Sequence, residues 1–155
     1  MSSPETRLQE LGITLPTPPK PVAKYKPTVL VGNMLYVSGH GPAKSDNPAL
    51  MAGKLGAGLS LEQGKESAKL VGINILATVK ASLGSLDRVK RLVKTLGMVN
   101  AAPDFLDHPQ VINGFSEFMA QVFGDDAGVG SRSAVGMGSL PGNIPVEVEC
   151  IFEVT

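Results

Sequence analysis

Apolar residues recur along this chain with two different periods, and each change of period marks a change of element. Ala68, Val71, Ile75, Val79 and Leu83 follow one another at helical spacing, with Lys65, Glu66, Lys69 and Lys80 off that stripe. Ser60-x-x-Gln63 supplies a capping box at one end and Gly84 a stop at the other, so a long amphipathic helix is predicted. Val111, Phe115, Phe118, Met119 and Val122 form a second such stripe, with Asp107 as its cap, Pro109 near its first turn and Gly124 as its stop. Thr28 to Val31 and Met34 to Ser38 flank the turn dipeptide Gly32-Asn33 and predict a hairpin. Arg88 to Val99 reads as a strand with Val89, Val93 and Val99 on one parity and Leu92, Leu96 and Met98 on the other. Apolar character on both faces predicts a central position in a sheet.

Two segments lie outside this pattern. Ser3 can cap a short helix over Pro4 to Leu11, with Leu8 and Leu11 as its contacts and Gly12 as its stop, an appendage to the fold. Leu15 to Pro27 holds five prolines and is predicted to run extended over the surface. After the hairpin, Gly39-His40-Gly41-Pro42 opens a polar, glycine-rich loop to about Gly58, long enough to border a site rather than merely connect elements.

The last quarter, Gly130 to Val154, reads as two strands around Pro141, Gly142 and Pro145. Val146, Val148, Cys150 and Phe152 share one face of the second strand, and Glu147, Glu149 and Glu153 stand on the other with Ile151. In the first, Val135 and Met137 alternate with Arg132, Ala134, Gly136 and Gly138. If the two pair as a hairpin with apolar faces coinciding, parity puts Arg132 on the face of Glu147 and Glu149, above a floor of glycine and alanine. Small residues there would let another backbone or a ligand approach closely.

The order is thus strand, strand, helix, strand, helix, strand, strand. Two helices cannot cover both faces of a sheet of five or six strands, so the expectation is an α+β domain with both helices on one face and the other face open to association. At 155 residues the chain is read as one domain, 1–155, in which 1–27 are the N-terminal helix and proline-rich segment. Composition narrows the partners. Lys+Arg and Asp+Glu both number 14, and that neutrality argues against nucleic acid, whose binders carry a clustered basic excess. No apolar run reaches the roughly 20 residues of a membrane helix, and the N-terminal stretch lacks the features of a secretory signal, so no membrane partner and a cytoplasmic location are expected. The single Cys150 falls on the apolar face and reads as a buried thiol.

The chemistry on offer is sparse. His40 and His108 are the only histidines, and neither stands in a triad context. One cysteine, two histidines and carboxylates without paired spacing make no zinc site, and the glycines Gly136 and Gly138 lie inside a strand rather than in a phosphate-cradling turn. Arg132 is the group best suited to bind a ligand, because a guanidinium holds a carboxylate by two parallel hydrogen bonds. On spacing alone it could equally pair with Glu147 or Glu149.

Ser131-Arg132-Ser133, the Leu140-Pro141 turn and Val146-Glu147-Val148-Glu149 together resemble the C-terminal signature of the YjgF-type reactive-intermediate deaminases, also called endoribonuclease L-PSP. The resemblance runs from about Tyr25 to Val154 and implies a chorismate-mutase-like ββαβαββ fold, assembled as homotrimers with ligand sites between subunits. It implies that Arg132 binds the substrate carboxylate and that Glu147 places a water or the substrate nitrogen. Tyr25 would approach from the neighbouring subunit, while Ser38 and Gly39 would line the cleft with backbone groups. Ala134 stands where the family often has cysteine, leaving its backbone carbonyl to serve, and Asn113 falls one residue from the family's helix asparagine. The longer loop before Arg132 and the extra N-terminal segment resemble a longer subgroup. The implied reaction is hydrolysis of enamines or imines derived from amino acids to 2-keto acids and ammonia, with no cofactor and no metal. A non-enzymatic module binding a small carboxylate such as a keto acid is the alternative, and ribonuclease or translation inhibitor the third reading, which the neutral charge opposes.

Overall fold

The computed structural model describes residues 2–155. Ser3 caps α1 (Pro4–Glu10) by accepting from the Thr6 amide, and Gly12 follows with φ +72°. This helix is no appendage. Leu8 is only 3% exposed within the main hydrophobic cluster, and Glu5 pairs with Lys80 at 2.9 Å. The proline-rich segment then leads into β1 (Thr28–Val31), which turns at Gly32-Asn33 into β2 (Met34–His40), as the sequence predicts. The following loop carries two two-residue strands, β3 (Lys54–Leu55) and β4 (Gly58–Leu59). It is pinned to the far end of the sheet, where Lys54 Nζ donates to Asn100 Oδ1 at 2.8 Å and the Gly53 amide to the Asn143 carbonyl at 2.8 Å.

Helix α2 (Leu61–Leu83) has the full Ser60/Gln63 capping box, and Gly84 ends it at φ +85°, a left-handed conformation that glycine adopts without strain. Its predicted stripe is buried throughout. Strand β5 (Val89–Asn100) follows, then α3 (His108–Ala127), β6 (Ser131–Met137) and β7 (Val146–Val154). Asp107 precedes α3 without a side-chain capping bond, and Gly124, at φ +89°, kinks the helix without ending it. Among the described residues, β1, β2, β7, β5 and β6 form one sheet in that order. Helices α2 and α3 pack against one face of it, around Phe115, Phe118, Phe152, Ile75 and Ile112. They touch each other closely at Gly114, where an added Cβ would lie 2.0 Å from the Lys65 carbonyl oxygen.

The predicted C-terminal hairpin does not form. Strand β5 lies between β6 and β7, parallel to the first and antiparallel to the second. The cause is visible in β5 itself: twelve residues long and apolar on both faces, it can take a neighbour on each edge, and the α3 crossover returns the chain parallel to it. The change reverses the parity argument. Arg132 lies opposite Thr95, and Thr95 opposite Cys150, so Arg132 is on the helix-covered face while Glu147 and Glu149 are on the other. The floor of Ala134 and Gly136 also lies on the α3 side, with His108 Nε2 where a Cβ of Gly136 would be. The uncovered face is not bare, but carries Leu96, Met98, Val135, Ile151 and Tyr36 around the two glutamates. In β5 the predicted parities also mix, since bulges between Val89 and Arg91 and between Leu92 and Lys94 bring Leu92 to the buried face with Val99.

Candidate functional site

Arg132 sits near the start of an edge strand, under the overhang of α3. Its Nη1 donates to Ser116 Oγ at 3.0 Å and its Nη2 to the Pro109 carbonyl at 3.4 Å. Pro109, Asn113 and Ser116 are spaced i, i+4, i+7 and so share one stripe of the helix. Asn113 therefore stands between the two groups that hold the guanidinium. Among the described residues no carboxylate lies within ion-pair distance of Arg132. The structural pair with Glu147 or Glu149 that spacing allowed is absent, because the intervening β5 puts those side chains on the other face. A half-buried guanidinium held by two neutral acceptors keeps both its charge and its remaining N–H groups for a ligand. A cavity of about 220 Å³ opens beside it, lined by Leu92, Thr95, Asn113, Ser116, Val129 and Arg132 with the intervening glycines.

The other predicted residues gather elsewhere. The bulge in β2 between Val37 and His40 brings Gly39 against β7, where the carboxylate of Glu147 occupies the space a Cβ at Gly39 would fill. Burial, reinforced by the charge of Glu149, raises the Glu147 carboxyl above its ordinary value, as suits a group that exchanges a proton. Ser38 ties the proline-rich segment to the same bulge, since its Oγ donates to the Lys26 carbonyl at 2.6 Å and its amide to the Pro27 carbonyl at 2.9 Å. That tether places Tyr25, 48% exposed, in a second cavity of about 190 Å³ with Pro21, Val22, Gly39, His40 and Asn74. His40 is buried. Its Nδ1 lies 2.6 Å from the Ser38 carbonyl and its Nε2 2.8 Å from Thr78 Oγ1. Because the carbonyl can only accept, the neutral ring donates from Nδ1 and accepts from Thr78 at Nε2. Burial lowers the pKa of His40, against the smaller opposing effect of the Ser38 carbonyl.

Within one chain, then, Tyr25, Ser38, Gly39 and Glu147 form one cluster, and Arg132 and Ala134 belong to another. The methyl of Ala134 packs against the core. Three inter-strand spacings separate β2 from β6, about 14 Å. Sequence reasoning did not reach Thr95 and Ser116, and it set Asn113 one position out of register. The stripe Pro109, Asn113, Ser116 is the signal that could have found two of them, since polar side chains there interrupt an otherwise buried helix face. Among the described residues no cluster of His, Cys, Asp and Glu is arranged to hold a metal ion, and no helix is long and apolar enough to cross a membrane.

Known proteins are similar to this one over nearly the whole chain. Protein TCP17 of Trypanosoma cruzi is 40% identical over 147 residues, which is 95% of this chain and 91% of that one. A 2-iminobutanoate/2-iminopropanoate deaminase of Dermatophagoides farinae is 28% identical over 142 residues, covering 92% and 94% of the two chains. The crystal structure of Atu1372 from Agrobacterium tumefaciens, described as of unknown function, superposes with a TM-score of 0.88 at 40% identity, covering 98% of this chain and 92% of that one. Residues 5–152 match the model of the family described as "YjgF/chorismate_mutase-like, putative endoribonuclease". An α+β chain with two helices over a mixed five-stranded sheet, matched by the family's model over residues 5–152, therefore belongs to the YjgF family.

Proposed function

We propose that this protein hydrolyses small imines and enamines derived from amino acids to 2-keto acids and ammonia, at sites completed between the subunits of a homotrimer. The observation that carries the reading is the guanidinium of Arg132, fixed by Ser116 and Pro109 and paired with no carboxylate among the described residues. A three-carbon imine has its carboxylate and its reactive carbon on adjacent atoms. It cannot touch both Arg132 and Glu147 of one chain, which stand on opposite faces of the sheet and two strand spacings, about 10 Å, apart. A neighbouring copy has to bring the second cluster to the first, and the free edge of β6 and the uncovered apolar face leave room for one.

In this reading Arg132 holds the substrate carboxylate and Tyr25 of the adjacent subunit closes the pocket. Ser38, Gly39 and the Ala134 carbonyl line it. Glu147 orients the attacking water, and its raised pKa lets it accept a proton from that water and return it to the departing amine. An enamine first tautomerises to the imine, a proton passing from nitrogen to its terminal carbon. Water oxygen then bonds to the imine carbon, the nitrogen gains the water's protons, the carbon–nitrogen bond of the carbinolamine breaks, and ammonia and a keto acid leave. Imines hydrolyse in water unaided, so orientation supplies most of what is required. The kinship with a named 2-iminobutanoate/2-iminopropanoate deaminase supports this choice of substrate.

The test is to generate 2-aminoacrylate with a pyridoxal-dependent dehydratase and follow its conversion to pyruvate with wild type, with Arg132→Ala and without protein, after light scattering shows the same assembly for both variants. Acceleration by wild type that Arg132→Ala abolishes is expected. No acceleration, with keto acids still raising the melting temperature through Arg132, would replace the enzyme by a carboxylate-binding module. A folded monomer at micromolar concentration would end the inter-subunit site.

A further inference from the structure

The cavity beside Arg132 is built from one chain, and two of its polar side chains have no hydrogen-bond partner among the described residues. Thr95 is 2% exposed and makes no side-chain hydrogen bond, yet its side chain lines the cavity. It stands directly opposite Arg132 across the β5–β6 pair, on the same face. Asn113, on the overhanging helix between the two residues that grip the guanidinium, likewise makes no side-chain hydrogen bond. The Thr95 hydroxyl is not sealed in the core but opens onto the cavity, where valine would keep the shape and offer neither donor nor acceptor. Leu92 and Val129 complete the wall, and no carboxylate reaches it. At about 220 Å³ the space is smaller than the roughly 300–1,000 Å³ of sites for drug-sized ligands, and fits a molecule of only a few heavy atoms.

We infer that this cavity receives the side chain of the ligand whose carboxylate is held by Arg132, and that Thr95 and Asn113 select side chains ending in a hydroxyl or similarly small hydrogen-bonding group over aliphatic ones of the same shape. The inference rests on Arg132 being the carboxylate anchor. The substrate class it names is the imines and keto acids of hydroxylated amino acids. A site whose buried polar groups expect a partner rejects the analogue that lacks one, because binding then leaves those groups dry and unpaired. Thr95 and Asn113 each offer both donor and acceptor capacity, so a hydroxyl between them can be satisfied at both its proton and its lone pairs.

A matched pair of probes tests this. 3-Hydroxypyruvate and 2-oxobutanoate share the 2-keto acid and differ by a hydroxyl in place of a methyl group. Calorimetric titration of wild type is expected to give at least tenfold tighter binding of 3-hydroxypyruvate. Thr95→Val should reduce the ratio to near one with little change in melting temperature, since valine keeps the shape and removes a hydroxyl that faces only the cavity. Asn113→Ala, at a partly exposed position, provides a second variant with the same expected loss of preference. Arg132→Ala should abolish binding of both acids. A wild-type ratio near or below one, or a ratio unchanged in both Thr95→Val and Asn113→Ala, overturns the selectivity while leaving the anchor intact. Binding of both acids that survives Arg132→Ala overturns the anchor itself. Failure of both to bind, with Arg132-dependent hydrolysis of 2-aminoacrylate retained, overturns the cavity alone. Loss of both binding and hydrolysis overturns the two together.

Discussion

Replacing Gly39 by alanine separates the position of Glu147 from the stability of the fold. A Cβ at residue 39 would lie 2.1 Å from Glu147 Oε2, 3.1 Å from Cδ and 3.5 Å from Cγ. Only the oxygen is severely overlapped, and ordinary contact requires it to move by more than 1 Å, which rotation of the glutamate side chain can supply. Gly39 is not among the residues with positive φ, so the backbone itself tolerates alanine. A side chain forced off its preferred rotamer costs about 0.5–1.5 kcal/mol. In a chain of 155 residues, at about 2–4 °C per kcal/mol, the melting temperature should fall by no more than about 6 °C. Activity should fall far more, by roughly 100-fold, because misplacing a group by about 1 Å costs that much in a site that works by orientation. The assay is 2-aminoacrylate hydrolysis beside thermal unfolding of Gly39→Ala, Glu147→Ala and the double variant. If the clash acts through the carboxylate, Gly39→Ala costs nothing further in stability once Glu147 is alanine. Equal destabilisation in both backgrounds, or unchanged activity in Gly39→Ala, would refute the reasoning.

Three further outcomes are expected. Gly114→Ala brings its Cβ within 2.0 Å of the Lys65 carbonyl oxygen and 2.7 Å of its carbon, backbone that cannot rotate away, so α2 and α3 must separate. Even after alanine's helix-propensity gain of about 1 kcal/mol, net destabilisation of about 1–2 kcal/mol is expected, read as a lower denaturant midpoint. Glu147→Gln should make the protein more stable than wild type near neutral pH: a carboxyl whose folded pKa is raised from 4.5 binds protons more readily in the folded state, so its stabilising effect is present below that value and lost as pH rises through the higher one. Melting curves from pH 4 to 8 should show the difference closing toward the acid end. For His40 the sign is opposite for acidification. Its folded pKa is lowered from 6.5, so wild type should lose stability as pH falls below 6.5, and His40→Gln should flatten that part of the pH profile.

Much of the fold was legible because it depends on short-range chemistry. The capping box at Ser60, the stop at Gly84, the Gly32-Asn33 turn and the stripes of α2 and α3 each act within a few residues, and each lies where the pattern placed it. The C-terminal strands were equally legible as strands, as was an uncovered sheet face. The neighbours of those strands were not. Nothing local to β6 and β7 reveals that β5 lies between them, and one inserted strand sent Arg132 to the face opposite Glu147. Bulges in β2 and β5 worked the same way, moving Gly39 against Glu147 and Leu92 into the core by shifting parity mid-strand.

The sequence by itself therefore determined the elements, their order, the apolar core and, through the motif around Arg132 and Glu147, the family. Only the tertiary structure decided which residues face one another. The gripping of Arg132 by Ser116 and Pro109 and the placement of Thr95 beside it depend on pairings distant in sequence. Pairing is a contest among all strands for a limited number of edges, settled by burial over the whole sheet, and no window of local pattern contains that competition.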